Sequence, residues 1–372
     1  MKTHAILMLG ALLSLGSVSA RAEIFETSAG SIEVARKIEG LDTPWALGFL
    51  PDGSVLVTER GGRLLLVRGG QAQAITGVPG VWAEGQGGLL DVVVARDFAT
   101  SGEIFLTYAE PAGRGAATAL ARAHLEPDAA RLTGLRVIFR QGDPTTSGRH
   151  FGSRVVEAPD GTLYLTLGER GERDSAQDPS SFRGKVVRLN RDGSAASGNP
   201  FAGGTGDGAP EVWSYGHRNP QGAALAPDGA LLTVEHGARG GDEINRPAAG
   251  GNYGWPEISY GREYSGGRIG EGTSAPGMEQ PLFYWDPSIA PSGMAVYSGR
   301  LWPEWRGDVF TGSLKFDFLS RLEGGPEGYA ERERLFEGAF PRIRDVREAP
   351  DGSIWFLSEA DGAAFRMVPA PD

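Results

Sequence analysis

The sequence predicts an all-β chain folded as a six-bladed β-propeller of four-stranded antiparallel blades. Three observations carry this expectation. Gly and Pro make up 81 of 372 residues, yet 40% of the chain is hydrophobic. That excludes disorder and collagen and leaves a folded chain with very many turns. Second, Pro-Asp-Gly occurs four times, at Pro51-Asp52-Gly53, Pro159-Asp160-Gly161, Pro227-Asp228-Gly229 and Pro350-Asp351-Gly352. Third, every copy is preceded by an apolar stretch and followed by a β-rich run: SVLVTE, TLYLTLGE, ALLTVEHG and SIWFLSEA. Pro presets the turn dihedral and Asp-Gly tolerates positive φ, so each copy reads as strand, tight turn, strand.

Taken in chain order, residues 1–22 read as a secretory signal peptide. Lys2 and His4 open it, Ala5 to Leu15 is almost wholly apolar, and Val18-Ser19-Ala20 suits a cleavage site. The apolar run is short for a membrane span. Residues 23–372 are then one propeller domain, exported to the periplasm or secreted, without a membrane span. Besides the four Pro-Asp-Gly units, two degenerate ones run from Leu89 to Glu110 and from Met294 to Leu314. The six units are about 55 residues apart, with long insertions after the third and fourth. Such radial repetition gives a propeller rather than stacked sandwiches. No convincing amphipathic helix is present, and Thr118 to Glu126 reads as readily as a strand. Loops converge on one face of a propeller, so function is expected between the units.

The chain has no cysteine, which excludes disulfides, thiolate metal sites and cysteine catalysis. Its net charge of −11 argues against nucleic acid as a partner. Four segments can carry chemistry. His150, in Arg149-His150-Phe151-Gly152, can act as a general base, and Glu169, nineteen residues on, can orient it. Gly216-His217-Arg218-Asn219-Pro220-Gln221-Gly222 is a rigid polar loop suited to stabilising an oxyanion. Glu235-His236-Gly237-Ala238, Gly241-Asp242-Glu243-Ile244-Asn245 and Gly250-Gly251-Asn252-Tyr253-Gly254-Trp255-Pro256 mix carboxylates with glycine turns, as oxygen ligands for calcium would. Lys315, Arg342 and Arg344 form a cationic set able to clamp a polyanion.

Together these strings, with Gly85-Gln86-Gly87-Gly88-Leu89-Leu90, resemble the soluble sugar dehydrogenases that use pyrroloquinoline quinone (PQQ), and within them the periplasmic aldose sugar dehydrogenases. The resemblance runs from Asp42-Thr43-Pro44-Trp45 to Arg342-Ile343-Arg344-Asp345-Val346 and implies the same six-bladed fold. It implies that His150 takes the proton from the anomeric hydroxyl of an aldose, supported by Glu169, and that Arg218 and Asn219 lie against the quinone. Gln86, Tyr264, Lys315, Arg342 and Arg344 are implied cofactor contacts. Carbonyls of Gly237 and Ala238 would hold an active-site Ca2+, and Glu243 and Tyr253 a second one. The product would be a lactone, and an external electron acceptor would regenerate the quinone. The chain would act as a monomer or homodimer. Arg149 stands where the glucose-oxidising branch has an acidic residue, which implies a broader aldose range. Glu169 replaces an aspartate there, His236 a glutamine and Ala238 a proline. Two rival readings are a calcium-dependent lactonase or arylesterase and a non-catalytic carbohydrate-binding propeller. Neither needs His150 together with Arg218, Lys315, Arg342 and Arg344.

Overall fold

The structure is a computed structural model and describes residues 22–204 and 207–371. Apart from Ala22, the leader expected over 1–22 lies outside the described residues. Two opening strands, β1 (Glu23–Thr27) and β2 (Gly30–Ile38), precede the first blade. Blade one contains β3 (Pro44–Phe49), β4 (Val55–Glu59), β5 (Arg63–Arg68) and β6 (Gln71–Ala74). Blade two has β7 (Leu89–Val94), β8 (Glu103–Ala112), β9 (Gly115–Glu126) and β10 (Arg131–Arg140). Blade three has β11 (Val155–Glu157), β12 (Leu163–Leu167), β13 (Lys185–Leu189) and β14 (Val212–Tyr215). Blade four has β15 (Pro220–Leu225), β16 (Leu231–Glu235), β17 (Asp242–Asn245) and β18 (Phe283–Trp285). Blade five has β19 (Pro291–Val296), β20 (Val309–Ser313), β21 (Leu319–Gly325) and β22 (Gly328–Leu335). Blade six has β23 (Ile343–Glu348), β24 (Ile354–Ser358) and β25 (Ala363–Pro369).

All pairings within the blades are antiparallel, in sequential order from the inner strand outward. The first strand of each blade packs beside that of the next, and β23 returns to β3, so the ring closes. Blade six is completed from the other end of the chain: β2 pairs with β25 and β1 with β2. It is therefore five-stranded, one strand more than expected, because the opening hairpin covers what would be an open edge.

The four Pro-Asp-Gly copies each join the first and second strands of a blade and share one geometry. The Asp carboxylate accepts the N–H two residues on, at 2.8 Å for Ser54, 2.9 Å for Thr162, 3.1 Å for Ala230 and 3.0 Å for Ser353. The glycines have φ of 83°, 81°, 83° and 87°, a region costly for any residue with a Cβ. The degenerate units are blades two and five. Their corresponding turns are a short helix (Phe98–Ser101) and a 3₁₀ turn (Pro303–Trp305). Thr118 to Glu126 lies within β9. The insertion at 246–282 follows the fourth strand–turn–strand unit, as expected, and sits inside blade four, between β17 and β18.

Hydrophobic cores lie between neighbouring blade faces; one joins Ala46, Leu56 and Leu66 of blade one to Leu90, Val92 and Leu106 of blade two. Buried threonines stitch the blades together. Thr58 accepts Ala46 N–H at 3.0 Å and donates to Leu90 O at 2.6 Å in the next blade. Thr107 links Asp91 N–H (2.9 Å) to Ser153 O (2.7 Å), and Thr166 links Arg154 N–H (2.9 Å) to Pro220 O (2.9 Å).

A buried charge network crosses the central channel. Arg154, 1% exposed, pairs with Asp91 at 2.9 Å and Asp345 at 3.1 Å. Arg347 pairs with the same two acids at 2.6 and 3.0 Å. The Arg154 guanidinium lies 4.5 Å from the Trp45 ring, and its Nε donates to Gln221 O at 3.0 Å. Trp45 and Gln221, which Arg154 touches, line one cavity, while the half-buried Arg347 lines others with Val93, Val94 and Arg96.

Candidate active site

The second strand of every Pro-Asp-Gly blade ends in, or just before, a glutamate: Glu59, Glu169, Glu235 and Glu359. Each grips the segment leading into the first strand of its own blade. Glu59 accepts Asp42 N–H at 2.6 Å. Glu169 meets His150 Nδ1 at 2.6 Å. Glu235 meets His217 Nδ1 at 2.8 Å and accepts Arg218 N–H at 2.7 Å. Glu359 binds Arg342 at 3.0 Å and Arg344 at 2.7 Å. The repeats thus supply the carboxylates and the segments between them supply the groups the carboxylates hold, where sequence reasoning had placed function in the connections alone.

His150 is 8% exposed and holds φ = 57°, a strained setting for a residue with a side chain. Its N–H donates to Gln86 Oε1 at 2.7 Å. Gly168 makes room for it, since a Cβ there would stand 2.1 Å from His150 O. The carboxylate at Nδ1 favours the tautomer that donates there, leaving Nε2 as the acceptor. Burial pulls the His150 pKa below 6.5; the Glu169 hydrogen bond opposes this, and Arg218 and Arg149 add to it. His150 is therefore a neutral base at pH 7. Burial works to raise the Glu169 pKa, but His150, Arg218 and the Gly171 N–H together hold it below its ordinary value.

Beside this pair, Arg218 (6% exposed) donates to His236 O at 3.3 Å and packs 5.2 Å from the Trp255 ring. Asn219 Oδ1 accepts Gly152 N–H at 3.1 Å. Arg218 Nε, Asn219 Nδ2 and His236 Nε2 are buried and have no protein partner. Burial, then Arg218, Arg344 and His150, depress the His236 pKa to about 3, so it too is neutral.

Two adjoining cavities open here, sharing His236, Ala290 and Lys315. The first, about 540 Å³, is lined by Gln86, Gln221, Arg60, Lys315, Arg342, Arg344 and Glu359, among others. Four cations against one carboxylate leave a net +3, in a chain whose total is −11. Arg342 lies just before β23 with φ = 54°, and both it and Arg344 reach Glu359 across a register shift between Ile343 and Asp345. The second cavity, about 860 Å³, is lined by Gly237, Ala238, Arg239, Arg262, Tyr264 and Asp286, among others. Tyr264 is 70% exposed and belongs to this second cavity, not to the first with Gln86 and Arg342. Sequence reasoning missed Arg60, His236 and Glu359 as cavity residues. Arg60 had a signal, since Glu59-Arg60 repeats the Glu169-Arg170 pair at the end of a second strand.

The protein-family model for glucose/sorbosone dehydrogenases matches residues 41–366. The chain belongs to the glucose/sorbosone dehydrogenase family. It is 45% identical over 337 residues to aldose sugar dehydrogenase YliI of Escherichia coli, covering 88% of this chain and 91% of that one. The apo crystal structure of the soluble aldose sugar dehydrogenase from Escherichia coli superposes with a TM-score of 0.87 at 42% identity, covering 91% of this chain and all of that one. The PQQ-bound aldose sugar dehydrogenase of Streptomyces coelicolor gives a TM-score of 0.75 at 28% identity, covering 94% and 99%. The kinship read from the sequence motifs thus holds, and with it the assignment to the sugar-oxidising oxidoreductases.

Glu243, Tyr253, Gly237 and Ala238 belong to blade four. Asp242 organises their turn, accepting Gly237 N–H at 2.9 Å, Ile289 N–H at 2.7 Å and Ala290 N–H at 2.9 Å. Glu243 stands opposite Glu235 across β16 and β17, and Asn245 Nδ2 donates to both at 3.1 and 3.0 Å. Burial and the Glu235 charge push Glu243 well above the usual carboxylate range, and Asn245 Oδ1 is left buried without a partner. Among the described residues no three His, Asp or Glu side chains converge as a metal cluster. A cation here would draw on one or two carboxylates together with backbone carbonyls and water.

Proposed function

We propose that the chain is a PQQ- and calcium-dependent aldose sugar dehydrogenase that oxidises the C1 hydroxyl of the sugar to the lactone. One observation carries the reading: a cavity of net charge +3, with the unpartnered His236 Nε2 in its wall, is tied through Gln86 to the His150–Glu169 pair and through His236 to Arg218. A planar tricarboxylate fits that charge, and PQQ has three carboxylates. Arg60, Lys315, Arg342 and Arg344 would bind them, with Arg218, Asn219 and His236 offering their free nitrogens. When bound, the quinone supplies a two-electron hydride acceptor, and calcium supplies its Lewis-acid polarisation.

The residues of the chain do the rest. Nδ1 of His150 is held by Glu169, so Nε2 is aimed and free to take the C1 hydroxyl proton. The Arg218 guanidinium stabilises negative charge developing on that oxygen. Burial of both groups excludes water and strengthens the interaction. For calcium, the carbonyls of Gly237 and Ala238 border the second cavity, and the crowded Glu235–Glu243 pair gives a second site a reason to exist. A cleaved leader over 1–22 would export the enzyme, and no helix of the described residues is long and apolar enough to cross a membrane.

Reconstitution tests this. Purified protein is mixed with PQQ and calcium, and aldose-dependent dye reduction is followed. The expected result is turnover that a chelator abolishes and calcium restores. No turnover across a broad sugar panel, with no quinone absorbance retained after desalting, overturns the reading.

A further inference from the structure

The second cavity has a wall of arginines that neither the quinone nor the base uses. Arg239 and Arg262 oppose one another across an antiparallel bridge, with N–H to O distances of 3.0 and 3.2 Å. On its other side Arg262 opposes Arg268 in a second antiparallel bridge. Residues directly opposed in this way send their side chains from the same face, where like charges repel. Three arginines therefore share one face of a small patch, against the local rule of charge alternation. Among the described residues none of the three has a carboxylate at ion-pair distance. The acid next in sequence, Glu263, is taken by Arg173 at 2.6 Å. Arg239 and Arg262 line the cavity together with Lys315, and Asp286 is the one acid among its lining residues. Three arginines opposed in this way, without an acid partner, concentrate positive charge at one edge of the cavity, in a chain of net charge −11, and a bound anion would neutralise it.

The inference rests on the sugar-oxidation reading above. On that reading the quinone occupies the first cavity, and the end of the sugar remote from C1 would extend into the second, which adjoins it through His236, Ala290 and Lys315. We propose that the preferred substrates are acidic aldoses, with a carboxylate or phosphate at the end remote from C1 received by Arg239 and Arg262. Guanidinium pairs suit both anions because they bind them bidentately. The remote group stays chemically unchanged, and the reaction at C1 is the one proposed above.

Glucose and glucuronate form a matched pair, identical except at C6, and glucose 6-phosphate is the phosphate arm. Reconstituted holoenzyme is assayed with all three at saturating phenazine methosulfate, a cationic acceptor. The expected kcat/KM for at least one acidic sugar exceeds that for glucose about tenfold at low salt, and the advantage shrinks at high salt. The arm with the larger advantage identifies the anion. In R239Q/R262Q the ratio should fall towards one. Calorimetry on cofactor-loaded H150A supplies a readout apart from turnover: the favoured acidic sugar should bind about tenfold more weakly once R239Q/R262Q is added. A ratio near or below one in the wild type overturns the proposal, as does a ratio that survives in the double variant. If glucose and every other aldose fail, the sugar-oxidation reading fails first and this inference falls with it.

Discussion

His150 owes its role to its neighbours. An ordinary histidine is half protonated near pH 6.5, whereas burial places this one lower. Its base form is complete above its pKa and is lost as pH falls through it. The acid limb of kcat/KM should therefore have its midpoint below 6.5. Glu169 works against the depression, so E169Q should move that limb to still lower pH while reducing the rate; a limb moving upward would contradict the assignment. H150A should retain quinone absorbance and lose turnover by about 10²-fold or more. Loss of cofactor binding instead would give His150 a binding role. These two residues were legible because histidine and Gly168-Glu169-Arg170 flank a recognisable strand pair. His236 was not, because its place between two cavities depends on the long excursion between β17 and β18, which local patterning does not describe.

At the scale of single elements, the recurrent threonine of the second strand is as telling as the Pro-Asp-Gly turn. A hydroxyl buried in a hydrophobic strand is expensive unless it is satisfied. Thr58, Thr107 and Thr166 are each satisfied twice, once within their blade and once in the next. Thr107→Val keeps the shape and strands Asp91 N–H and Ser153 O, which should cost about 2–6 kcal/mol at 1–3 kcal/mol per orphaned group. Denaturant unfolding should show a lower midpoint with an unchanged m-value. The sequence showed the four regular blades through their turns, and marked blades two and five as degenerate. The reason is now visible: a helical turn does the work of Pro-Asp-Gly in one, a 3₁₀ turn in the other. The cationic cavity was half legible. Lys315, Arg342 and Arg344 sit in distinctive strings, but Arg60 follows β4, 255 positions before Lys315, with only the Glu59-Arg60 repeat to mark it, and ring closure brings the two together.

For the whole molecule, closure depends on the opening hairpin. β1 and β2 complete blade six, and without them β25 would present a bare edge. A chain beginning at Glu39 should aggregate or unfold at a markedly lower temperature than one beginning at Glu23; equal melting temperatures by calorimetry would show the hairpin to be dispensable. The sequence indicated six units and a closed ring but not the fifth strand, because EIFETSAGSIEVARKI has no turn motif shared with the repeats.

The ion network of Arg154, Asp91, Asp345 and Arg347 also sets the order of events. Arg154, packed on Trp45 and bonded to Gln221, places buried charge on the inner side of the cavity, so on the proposed reading sugar, lactone and electron acceptor reach it from its open side. All three would use that side in turn. The oxidised sugar has to leave before the acceptor can approach. Varying both substrates should therefore give parallel double-reciprocal lines, and excess sugar should compete with the acceptor for entry.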